Sequence, residues 1–185
     1  MSIKRRGLQS LKGLGLCLAL CLSACGFHLR GQYQLPAPLY RLYIQTASPY
    51  DPFVQALEQV LHKMKVVVPK TAQEANVVLV VNAMSSSQAL VSSSTTSQVN
   101  TYAITYTLDF SLQDPQGKIL LAAQRVSASQ SYTISSSQAI TGSAQAQQIQ
   151  SQLYQDVIYQ LFNLLSSKQV KAALSSDTSV MATGV

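Results

Sequence analysis

The sequence predicts one α/β domain, and three patterns carry that expectation. Apolar and polar residues alternate from Asn100 to Leu112, the period of a half-buried strand. Apolar residues recur every three or four positions from Ile149 to Leu165, the period of an amphipathic helix. Between Leu39 and Met84 a strand-like, a helix-like and a second strand-like segment follow in turn, the order of a crossover between parallel neighbours. With 185 residues, the chain has room for one domain of ordinary size.

Residues 1–24 read as a leader. Lys4, Arg5, Arg6 and Lys12 precede an apolar run from Leu14 to Leu22, closed by Ser23-Ala24-Cys25, which is the layout of a secretory signal. The run is about half the length that spans a bilayer, so a permanent membrane helix is not expected. In an ordinary signal peptide Cys25 would be incidental. Leu22-Ser23-Ala24-Cys25, however, matches the bacterial lipoprotein signal at every position. That resemblance implies lipidation of Cys25, cleavage before it and acylation of the new amino terminus. Several acyl chains on one residue anchor durably, which one chain does not. Gly26 rather than Asp after the cysteine favours the outer membrane by analogy with lipoprotein sorting.

The first strand is expected at Leu39–Gln45, with Tyr40, Leu42 and Ile44 on one face. Asp51 before Pro52 suits a helix start, and Val54, Leu57, Leu61 and Met64 form the stripe of a short helix through Lys65. Val66-Val67-Val68 makes a brief extended piece, and Ala75–Met84 reads as a strand buried on both faces. Residues 85–98 carry seven serines and read as a low-complexity loop. The alternating strand puts Tyr102, Ile104, Tyr106, Leu108, Phe110 and Leu112 on one face. Asp114-Pro115-Gln116-Gly117 then turns the chain, and Lys118 to about Tyr132 returns as its hairpin partner. A second Ser-rich loop is expected at 133–143, with Ser143 capping the long helix. That helix's stripe is Ile149, Leu153, Val157, Leu161, Leu164 and Leu165, with Ile158 near its edge and Phe162 further round. The expected divisions are a signal peptide at 1–24, a domain at 25–171 and a disordered tail at 172–185.

Composition excludes several function classes. Beyond residue 24 there are nine basic and seven acidic side chains, which does not form the dense basic surface of a nucleic-acid binder. Cys17, Cys21 and Cys25 are the only cysteines, so a chain starting at Cys25 has no internal disulfide and no cysteine metal site. His28 and His62 lack neighbouring ligands at metal spacing. There is no G-x-S-x-G elbow, no phosphate-cradling glycine loop and no evident acid/base pair. No enzymatic activity, metal or cofactor is expected. Lys63 and Lys65 read as partners of a helix C-terminus rather than an anion site. Tyr40 and Tyr43 cannot share one strand face, and Tyr159 points away from the long helix's stripe. Exposed tyrosines beside uncharged loops suit either an ordinary surface or a protein enclosed by another.

Cys25-Gly26-Phe27-His28-Leu29-Arg30-Gly31 extends the lipoprotein signal and resembles the mature start of the LptE family. The order of elements is also similar to that family's. The resemblance implies a two-layer α/β sandwich, about two helices on one face of a four-stranded mixed sheet with a long β-hairpin. It further implies an outer-membrane lipoprotein that plugs and helps assemble the LptD β-barrel and assists lipopolysaccharide insertion into the outer leaflet. The expected location is the periplasmic face, with the lipid anchor in the membrane; LptD and lipopolysaccharide are the implied partners. In the family, basic loop residues at the far end of the sheet are linked to lipid binding. Here 85–98 and 133–143 contain no Lys or Arg, so charged capture of phosphates by these loops is not expected. The alternative reading is a generic outer-membrane lipoprotein that binds a periplasmic ligand without a barrel partner.

Overall fold

Pro36 and Pro38 decide how the described chain begins. The computed structural model describes residues 35–94, 99–135 and 139–181. Pro38 lies at the start of a 3-10 turn, Ala37–Tyr40, whose Leu39 amide donates to the Pro36 carbonyl at 2.9 Å. Strand β1 is therefore Leu42–Gln45, shorter than the Leu39–Gln45 expected from sequence. Tyr40 falls in the turn and is exposed, whereas Leu42 and Ile44 are buried.

Asp51 starts helix α1, Pro52–Lys63: its carboxylate accepts from the Phe53 amide at 2.8 Å, and Pro52 occupies the first turn, where its missing N–H costs nothing. The helix stops in a motif that satisfies its last carbonyls. The Lys65 amide donates to the His62 carbonyl and the Val66 amide to the Leu61 carbonyl, both at 3.0 Å, while Val66 and Leu61 are buried. This closure forces Lys65 to φ 61°, a left-handed conformation that costs a residue with a Cβ about 1–2 kcal/mol. Lys65→Gly should accordingly raise stability by about 1 kcal/mol, read as a melting temperature higher by about 2–4 °C. An unchanged or lower melting temperature would contradict that account.

Val66–Val68 contributes a single parallel bridge, Val67 to Arg41, and not a strand. A short 3-10 turn, Ala72–Glu74, leads into β2, Val77–Ser94. Then follow β3, Val99–Gln113, and β4, Ile119–Ser135. The sheet order is β1-β2-β3-β4; β1 pairs parallel with β2 over residues 77–80, and the other neighbours are antiparallel. At about 3.3 Å per residue the three long strands run about 50–60 Å, far beyond the usual strand. The turn is fixed by Asp114, whose buried carboxylate accepts from the Gln116 and Lys118 amides at 2.9 and 2.8 Å. Gly117 supplies the positive φ, 89°, that the turn requires.

Two sequence expectations fail in β2 and α2. Residues 85–94 are not a loop: they pair with β3 from Ser85 opposite Thr107 to Ser94 opposite Val99. Serine's weak preference for strands is overridden here by the partner strand. Helix α2 runs Ala139–Leu165, five residues earlier than a cap at Ser143 allows. Ile140, Thr141 and Gly142 are weak helix formers, so this early start has no local signal in the sequence. Residues 95–98 and 136–138, the remainder of the expected loops, lie outside the described residues.

Helices α1 and α2 cover one face of the sheet. Ile149, Leu153, Val157, Leu161 and Leu165 are buried as the stripe requires, and Ile158 and Phe162 join them. The stripe is thus wider than sequence spacing suggested, because α2 packs on both the sheet and its helical neighbours. Phe53 of α1 meets Tyr106 of β3 and Tyr154 of α2, with ring centroids 5.3 and 5.8 Å apart. The tail expected to be disordered at 172–185 is corrected over 172–181, while 182–185 lie outside the described residues. A third helix, α3, spans Lys168–Met181, and its Val170 and Leu174 are buried in the core cluster. Two apolar residues four apart are a faint signal, and docking rather than propensity holds this helix. The four-stranded mixed sheet with helices on it is the two-layer α/β architecture expected.

Candidate functional site

Beyond Val81 the sheet outruns β1, and its two faces differ in chemistry. On the helix side the register aligns Leu90 with Tyr102 and Tyr102 with Tyr132; the two tyrosine rings stack at 5.7 Å. Nearer the core, Met84, Leu108 and Val126 form a parallel row. The opposite face is a lattice of small hydroxyl and methyl side chains. Ser85, Ser87 and Ala89 of β2 stand beside Thr107, Thr105 and Ala103 of β3, which stand beside Ser127, Ser129 and Ser131 of β4.

This lattice bonds within itself. Thr105 donates to Ser129 at 2.9 Å, and the Thr101 and Thr133 hydroxyls lie 3.3 Å apart. Such cross-strand hydroxyl pairs stiffen a sheet while leaving oxygen lone pairs for a partner. At its inner border Arg125 grips Asp109 with two bonds, 2.6 and 2.8 Å, directly across the β3–β4 pairing. The Arg125 hydrogen bond holds the Asp109 carboxyl below the usual carboxylate range, and the Arg125 guanidinium is held above its own. Both side chains face water, so the pair contributes little to stability. With each charge answered by the other, the lattice presents polar groups and almost no net charge.

The aromatic junction under the helices is different. Tyr106 and Tyr154 meet edge-on at 4.8 Å, and the Tyr106 hydroxyl is buried with no hydrogen-bond partner. Burial first, then the Asp51 carboxylate, pushes both phenols to higher pKa. These hydroxyls therefore stay neutral, and the junction acts as packing between α1, α2 and β3.

Of the residues singled out from sequence, Cys25 and His28 lie outside the described residues. His62, Lys63 and Lys65 are exposed at the end of α1, away from the lattice. Among the described residues no group of three His, Cys, Asp or Glu could hold a metal ion. No described helix is long and apolar enough to cross a membrane. Sequence reading missed the Asp109–Arg125 pair: counting outward from the Asp114–Gly117 turn sets Asp109 against Ala122, and two register shifts between the turn and the pair bring Arg125 there instead.

Comparison with known proteins bears on the whole domain. The family model described as LptE, lipopolysaccharide-assembly, matches residues 39–165. The LPS-assembly lipoprotein LptE of Photorhabdus laumondii is 41% identical over 59 residues, 32% of this chain and 31% of that protein. Its counterpart in Pectobacterium atrosepticum is 40% identical over 63 residues, 33% and 34% of the two chains. These alignments span about a third of the length of the relatives. Among solved structures, uncharacterized lipoprotein B of Nitrosomonas europaea superposes with a TM-score of 0.62 at 21% identity, covering 76% of this chain and 90% of that one. A minor lipoprotein of Acinetobacter baumannii gives 0.59 at 18%, covering 69% and 91%. At these identities the superpositions speak for the fold alone. The family match, running from within the first 3-10 turn to the last residue of α2, places this chain in the LptE family of lipopolysaccharide assembly.

Proposed function

We propose that this protein is a non-enzymatic outer-membrane lipoprotein, anchored through Cys25 at the periplasmic face. Its domain occupies and helps assemble the LptD β-barrel and assists the passage of lipopolysaccharide into the outer leaflet. The observation that carries this reading is the uncharged hydroxyl lattice on a sheet that outruns its own core, in a chain of the LptE family. The lumen of a large barrel is polar and walled by strands. A flat face of Ser, Thr and Ala can lie against such a wall without burying unpaired charge, which would cost several kcal/mol per ion. Lipopolysaccharide contact through this face would rest on hydroxyl hydrogen bonds to sugar and phosphate oxygens, each weaker than a bond from a charged donor.

Photocrosslinking in cells producing the full chain tests the reading. Crosslinkers at Ser93 and Ser131, both exposed on the outlying strands, should trap a membrane β-barrel. A crosslinker at Lys70, exposed before the start of β2, should trap much less. Adducts only with soluble proteins, or equal barrel yields at all three positions, would favour a generic lipoprotein without a barrel partner.

A further inference from the structure

The outer edge of β2 poses a problem that a barrel wall does not solve. Strand β1 pairs with β2 only as far as Val80, and the described residues place no other strand along the edge of 83–90. An unpaired edge is a template for another strand, and proteins usually blunt it with lysine, proline or an inward charge. The segment Ala83-Met84-Ser85-Ser86-Ser87-Gln88-Ala89-Leu90 contains none of these. Register shifts lie on either side of it, between Val81 and Ala83 and between Leu90 and Ser92, so the segment between them is regular. Leu90 at its end is 55% exposed. The other edge of the sheet is partly guarded, since the Gln160 side chain of α2 donates to the Ser127 carbonyl of β4 at 3.0 Å.

We infer that 83–90 pairs with the same segment of a second copy of this chain, antiparallel about a two-fold axis at Ser87, joining two sheets into one. The pleat selects this register. Opposed residues of an antiparallel pair share a face, so the axis of a regular strand must pass through a residue pair. Centred on Ser87, the pairing sets Ser85 against the second copy's Ala89 on the lattice face. On the helix side it sets Met84 against the second copy's Leu90. That contact covers the exposed leucine, and it does so twice by symmetry. It also joins the row Tyr132, Tyr102, Leu90 to the row Met84, Leu108, Val126 of the other copy. One apolar stripe then crosses six strands.

A second copy is favoured over a barrel wall by hydrogen bonding. The strands of a closed barrel are already paired on both sides, so a lumen offers no edge to extend this sheet. The second copy offers an identical edge, uncharged and without repulsion. Two short edges bury little area, so the dimer is weak and concentration-dependent. The inference concerns the chain free of any barrel and holds whether or not the barrel reading does. Pairing between copies and contact with a barrel wall would use the same end of the sheet and exclude each other.

Site-directed disulfide formation in cells producing the full chain decides the matter. Ser87→Cys, at the axis, should give a disulfide-linked dimer on mild oxidation with copper phenanthroline. Ser85→Cys should not, because its counterpart lies four residues away along the strand, about 13 Å. Unaltered chain reports any background from its native cysteines. Adding Leu90→Lys to Ser87→Cys should abolish the dimer, with circular dichroism confirming that the exposed substitution leaves the fold intact. Equal dimer from Ser85→Cys and Ser87→Cys would overturn the inference. So would no dimer from Ser87→Cys, an adduct only with a different protein, or a dimer indifferent to Leu90→Lys.

Discussion

Leu161→Asp should destabilise the domain by roughly 4–5 kcal/mol or more, enough to consume much of the about 5–15 kcal/mol that holds a typical domain folded. Leu161 is fully buried on α2, between Val157 and Leu165 of the same stripe. The substitution removes apolar contacts, a loss of about 2–5 kcal/mol in Leu→Ala replacements, and sets a carboxylate in a cluster where no cation is buried among the described residues. At about 2–4 °C per kcal/mol, the melting temperature should fall by about 10 °C or more. The neighbouring change Asn163→Asp, on the exposed side of the same helix, should move it by no more than a few degrees. Similar melting temperatures for the two variants would mean that α2 does not pack on the sheet through this stripe.

The second large effect concerns Cys25 and is all-or-none. It is the sole cysteine beyond residue 24 and completes the lipoprotein signal, so Cys25→Ser should leave a full-length precursor carrying no acyl chain. Palmitate labelling in growing cells should drop to background, and the unprocessed chain should migrate above the mature form. Serine keeps the size and loses the thiol, so failure would be chemical rather than steric. Label incorporated at the level of the unaltered chain would contradict lipidation at this residue.

How far the sequence announced this fold depends on where the ordering force lies. Strand β3 was legible because its own residues alternate, and Ile104, Tyr106, Leu108, Phe110 and Leu112 are all buried as that alternation requires. Helix α1 was legible because Asp51, Pro52 and the Val54–Leu57–Leu61 stripe act within a few residues of one another. Residues 85–94 were misread because nothing local makes them a strand; their order comes from β3, five to twenty-two residues further along the chain. Helix α3 was misread for a related reason, since Val170 and Leu174 hold it only through burial in a core built elsewhere. The candidate site shows the same division. Its serines and threonines were plain as composition, but only the register of three strands turns them into a surface. The Asp109–Arg125 pair likewise exists only through the register of β3 and β4, which shifts twice between the Asp114–Gly117 turn and the pair.

The placement of α2 after all four strands has a consequence for the order of events during synthesis. Strands β2, β3 and β4 are joined by short links and can pair as they emerge, at low loop-closure cost. Their apolar face, Leu108, Phe110 and Leu112 included, must then wait for Leu153, Val157 and Leu161, which follow the whole sheet in the chain. During that interval the chain is a sticky, half-finished ribbon, and a premature stop before residue 149 would leave it so permanently. Completion of α2, rather than nucleation of the sheet, is therefore the step at which this protein becomes safe to keep.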